Sequence, residues 1–85
     1  MNSSEFIDYC INYIRRYYSN ELKEIIDKED IYLVWNCKTL QNNKGLFSTT
    51  VPDTRYFEIT YNSQNKILFY LHYMLFQNIL YQEQL

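Results

Sequence analysis

The side chains best suited to nucleophilic or acid–base work in this 85-residue chain are two cysteines, Cys10 and Cys37, and one histidine, His72. A thiolate beside an imidazole is a competent nucleophile–base pair, and Cys37 with His72 is the one pairing that could form it. Both residues lie in apolar patterns, where a packed cysteine and a histidine bonded at a sheet edge are the simpler expectation. Their spacing matches no zinc-ligand pattern. Asp53 and Glu58 come nearest to a carboxylate pair for acid–base chemistry, but no glycine-lined cleft surrounds them. The single glycine, Gly45, excludes both the phosphate-binding loop and the dinucleotide fingerprint, which need several. These residues point to a protein with no catalytic, cofactor or metal site.

A different chemistry is suggested by Lys38, Lys44, Arg55 and Tyr56, with Trp35 and Phe47 close by in sequence. Basic residues interleaved with aromatic rings are what a single-stranded nucleic-acid surface uses. Against this, the formal net charge is −2, and residues 21–30 hold five acids against two lysines. Three cations also give few phosphate contacts. Single-stranded nucleic-acid binding is therefore the alternative reading and not the leading one.

These residues need elements to position them. Ser3 and Ser4 are candidate N-caps, and Glu5 and Asp8 put negative charge where the helix dipole favours it. Phe6, Cys10, Tyr13, Ile14 and Tyr17 recur at helical spacing, predicting an amphipathic helix from about residue 4 to 18. Leu22, Ile25 and Ile26 could line the inner face of a continuation. From Ile31 the period becomes two, and Ile31, Leu33, Trp35 and Cys37 form one apolar face of a strand. Residues 41–45 read as a turn in which Asn43 or Gly45 takes positive φ, followed by a short strand over 46–51. Phe57, Ile59 and Tyr61 share one face of a further strand, and residues 62–65 connect it to another over 66–70.

Residues 67–81 carry no charge and are apolar on nearly every side, which predicts a C-terminal helix over about 71–82. The fold class expected is thus α+β in one domain spanning residues 1–85: an N-terminal helix, a three- to four-stranded antiparallel sheet and a C-terminal helix. A terminal helix apolar all round needs a partner for the face its own sheet does not cover. Tyr70, Tyr73, Met74, Gln77 and Tyr81 are the residues expected to make that contact, to a second copy or to another protein.

Composition supports a contact role. The chain has ten tyrosines, five phenylalanines and one tryptophan, no alanine, and is 47 % hydrophobic. A 10.5 kDa fold keeps about 5,400 Å² exposed, too much for so many large side chains to be hidden. Aromatic excess at a surface is typical of protein–protein contacts. The longest apolar stretch, residues 67–76, is about half a membrane span. With two cysteines and no secretory leader pattern, reduced thiols in a cytoplasm are expected.

The run Trp35-Asn36-Cys37-Lys38-Thr39-Leu40-Gln41-Asn42-Asn43-Lys44, then Leu46 and Ser48-Thr49, is followed by Tyr56-Phe57-Glu58-Ile59-Thr60-Tyr61-Asn62. It resembles a family of small phage and prophage proteins of low-GC Gram-positive bacteria. Those share a Trp-x-Cys-Lys-Thr-Leu-Gln-Asn-Asn-Lys motif and a Tyr-Tyr-Glu-Val-Thr-Tyr-Asn-like strand. The likeness covers residues 31–62 closely and residues 5–30 loosely, and it brings no assigned reaction. It implies a phage-encoded protein in a bacterial cytoplasm that binds and redirects a host or mobile-element protein. A repressor, whose titration would derepress a resident mobile element, a replication factor and a defence component are the targets it suggests.

Overall fold

A computed structural model describes residues 1–52, 55–73 and 78–84 of the chain. Helix α1 (Ser3–Glu21) opens on a capping box, one residue ahead of the serines that looked like caps. The Asn2 side chain accepts from the Glu5 amide at 2.8 Å, and the Glu5 carboxylate accepts from the Asn2 amide at 3.1 Å. Phe6, Cys10, Ile14 and Tyr18, each four residues from the last, form the buried stripe. The helix stops where Lys23 turns left-handed (φ 55°) and the Glu24 amide bonds back to the Tyr18 carbonyl at 3.0 Å. The continuation considered over residues 22–26 therefore does not form. Ile26 is nonetheless buried, its carbonyl held by the Arg15 side chain at 3.3 Å, while Ile25 is exposed.

A short 3₁₀ turn (Lys28–Asp30) leads into five strands: β1 (Ile31–Lys38), β2 (Asn42–Thr49), β3 (Tyr56–Asn62), β4 (Ile67–Tyr73) and β5 (Asn78–Gln84). They form one antiparallel meander in sequence order. Alternate residues face α1, and Phe47, Phe57, Ile59, Tyr61, Leu68, Tyr70 and His72 meet the helix stripe in a single core.

The expected C-terminal helix is absent. The chain runs as strand from Ile67 to Tyr73 and again from Asn78 to Gln84, so the sheet has five strands and not three or four. The physical reason lies in β4, an interior strand that carries large apolar side chains on both its buried and its open face. Leu68, Tyr70 and His72 point to the helix, and Ile67, Phe69, Leu71 and Tyr73 point the other way. A strand that is apolar on both faces shows no period of two and cannot be told from a buried helix by periodicity. Its aromatic content favours the extended form.

Two local expectations are corrected as well. The β1–β2 turn is tighter and earlier than residues 41–45: the Thr39 amide donates to the Asn42 carbonyl at 2.9 Å, and the Asn42 amide to the Thr39 hydroxyl at 3.1 Å. Asn43 and Gly45 lie inside β2, and neither has positive φ. Gly45 is required by packing: a Cβ there would stand 2.8 Å from the Phe47 ring and 3.3 Å from that of Phe6. Among the described residues, no helix is long and apolar enough to cross a membrane.

Candidate functional site

The sheet separates the two residues that could have formed a nucleophile–base pair. His72 is fully buried on the helix side of β4, while Cys37 is exposed on the opposite side of β1. Nor does His72 sit at a sheet edge. Its Nε2 shares a 2.8 Å hydrogen bond with the Tyr13 hydroxyl, and its ring lies 4.4 Å from Tyr17, 4.8 Å from Phe57 and 4.7 Å from Tyr81, between centroids. Burial, seconded by the Arg55 charge, holds its pKa down at about 4, so the imidazole is neutral at pH 7. Cys10 is packed against the core, and burial pushes its thiol well up. Asp53 lies outside the described residues, and Glu58 sits on the face away from the helix.

That second face is the surface with the most distinctive chemistry. The register sets Trp35, Leu46, Glu58, Leu71 and Leu80 in one row across all five strands. Tyr32, Ser48, Tyr56, Tyr73 and Asn78 make the next row, and Cys37, Lys44, Thr60, Phe69 and Gln82 a third. Among the described residues no helix or strand lies over this face. Trp35 and Tyr56 are each 42 % exposed and Leu80 62 %. Trp35, Leu46, Tyr56, Glu58 and Tyr73 enclose a shallow depression of about 370 Å³.

Glu58 is the one acid in these rows. Tyr73 donates its hydroxyl to Glu58 Oε2, and Lys44 Nζ lies 2.9 Å from Oε1. The Tyr73 hydrogen bond first, and the Lys44 bond and charge after it, hold the Glu58 carboxyl below its ordinary range. The carboxylate is thus ionised and matched, and the three rows carry one charge of each sign. The rows thus present an aromatic, nearly neutral surface.

The residues expected to contact a partner are divided by the sheet. Tyr70 is buried, its ring stacked on Tyr13 at 3.6 Å, and has no surface to offer. Tyr73 is on the open face, Tyr81 is 39 % exposed on the helix side beside His72, and Met74 and Gln77 lie outside the described residues. The residues of the nucleic-acid alternative are scattered too. Lys38 reaches the Met1 carbonyl at 3.2 Å on the helix side, and Arg55 donates to the Tyr17 hydroxyl at 3.1 Å. Of the four, Lys44 and Tyr56 share the open face, and Lys44 is paired.

Sequence reasoning missed Leu46 and Leu80 as surface residues, and it set Trp35 on the same face of β1 as Ile31 and Leu33. Leu46 had a readable signal, since it alternates with the buried Phe47. Trp35 had none. A bulge between Leu33 and Trp35 shifts the register, so Ile31 and Leu33 face the helix while Trp35 and Cys37 turn outward.

A model described as a family of unknown function (DUF6275) matches residues 7–83. No curated protein and no solved structure matches the chain.

Proposed function

The chain belongs to that family of unknown function, and we propose that it is a non-catalytic, protein-binding modulator that works through the open face of its sheet. The observation that carries this reading is the row of Trp35, Leu46, Leu71 and Leu80, apolar across four of five strands and uncovered. With Tyr56 and Tyr73 of the next row it forms an apolar and aromatic surface, interrupted at Glu58, of the kind that marks contact sites. Five strands of about seven residues give a face of roughly 24 by 23 Å, or about 550 Å² in plan. A standard interface buries about 800 Å² per partner, so the face with its rims is of the right size. Trp35, Tyr56 and Tyr73 supply the aromatic anchors on which binding energy concentrates. The likeness of residues 31–62 to phage proteins adds the context: a bacterial cytoplasm, with a host or mobile-element protein such as a repressor, replication or defence factor as the target.

Affinity capture from a low-GC Gram-positive host tests the proposal when run with face-specific variants. The native chain is expected to retain one stoichiometric protein. Trp35→Asp on the open face abolishes retention, and Asn12→Asp on the exposed side of α1 leaves it intact. Retention unchanged by Trp35→Asp, or retention of nucleic acid in place of protein, overturns it.

A further inference from the structure

We infer that the free edge of β5 pairs antiparallel with β5 of a second copy, with Leu80 on the two-fold axis. The two edge strands of the sheet are built differently. β1 carries a bulge between Leu33 and Trp35 and ends in Lys38, and bulges and lysines are devices that stop an edge from templating another strand. β5 has neither. It pairs with β4 residue for residue from Asn78 to Gln84 without a register shift, contains no proline, and carries one charge, Glu83. Among the described residues its outer edge has no strand partner.

The order of residues in β5 identifies the occupant. An axis at Leu80 sets that residue against its own equivalent, Ile79 against Tyr81 on both sides, and Asn78 against Gln82. Leucine meets leucine, isoleucine meets a ring, amide meets amide, and Glu83 falls beyond the matched stretch. Cross-strand pairs of this kind stabilise a sheet, and a self-matching strand gives the isologous contact of a two-fold dimer. Moving the axis to Tyr81 would put Ile79 against Glu83 and Leu80 against Gln82, losing the match. With Leu80 on the axis, the Trp35-to-Leu80 rows of both copies join end to end in one ten-stranded sheet. The contact is made along the edge of β5, and Trp35 lies on the opposite edge strand, so dimer mass and the effect of Trp35→Asp on partner retention report on the two proposals separately.

Sedimentation equilibrium at about 50 µM is expected to give twice the 10.5 kDa chain mass. Leu80→Lys, at a position 62 % exposed, keeps the native circular dichroism spectrum and raises the dissociation constant at least about tenfold. Register is read by crosslinking in a Cys37→Ser background. Leu80→Cys forms an interchain disulfide under mild oxidation. Gln82→Cys does not, its two copies being about 13 Å apart. A native chain of single-subunit mass, a dimer that Leu80→Lys leaves intact, or crosslinking through Gln82→Cys in place of Leu80→Cys overturns the inference.

Discussion

His72 is an ionisable side chain with no access to water, wrapped by Tyr13, Tyr17, Phe57 and Tyr81. As pH falls through the ordinary histidine range near 6.5, the unfolded chain takes up a proton that the folded chain, with His72 held at about 4, refuses. The stability linked to this group is therefore complete above about pH 6.5, lost between there and about pH 4, and constant below. At most about 3 kcal/mol is involved. Urea unfolding across that window is expected to show the loss, and His72→Phe to flatten it while costing about 1 kcal/mol at neutral pH through the orphaned Tyr13 hydroxyl. An unchanged slope in His72→Phe would assign the pH dependence elsewhere. Gly45→Ala tests packing of a different kind: with the Phe47 and Phe6 rings so near the added methyl, a loss of about 1–3 kcal/mol is expected in the same assay.

Among the elements, α1 and the β3–β4 hairpin make separate predictions. Asn2→Ala removes the acceptor of the capping box and should cost about 1 kcal/mol in thermal unfolding. Lys66 closes the hairpin at φ 56°, a conformation that charges a β-carbon about 1–2 kcal/mol. Glycine is free of that cost but gives back about half in chain entropy, so Lys66→Gly should stabilise by about 0.5–1 kcal/mol. How far each element could be read from sequence follows from how many sides of it are apolar. The α1 stripe and the alternation of Phe57, Ile59 and Tyr61 were legible because each element buries one side against a polar one. β4 was not, because Leu68-Phe69-Tyr70-Leu71 fills both faces, and β5 was absorbed into the same apolar run. The exposed aromatic face was legible only as a surplus of rings: its location depended on the Leu33–Trp35 bulge, which leaves no mark in composition or period.

At the scale of the molecule, the accessible surface is 5441 Å², the value expected for a compact chain of this mass. Compactness is therefore ordinary, and what sets this protein apart is where the apolar side chains went. One helix covers one face of a five-stranded sheet, leaving Trp35, Tyr56 and Leu80 on the other and an unguarded strand at its rim. If the rim is occupied by a second copy, unfolding is linked to dissociation, and the midpoint must depend on concentration. Two 85-residue subunits unfold with an enthalpy of about 120 kcal/mol, so a tenfold rise in concentration should raise the native midpoint by about 4 °C. Leu80→Lys, its dimer weakened, should show a smaller dependence across the same range, because a monomer's midpoint contains no concentration term. A native midpoint equally indifferent to concentration would mean that β5 keeps its edge free, and the proposal for the open face would then stand or fall on partner retention alone.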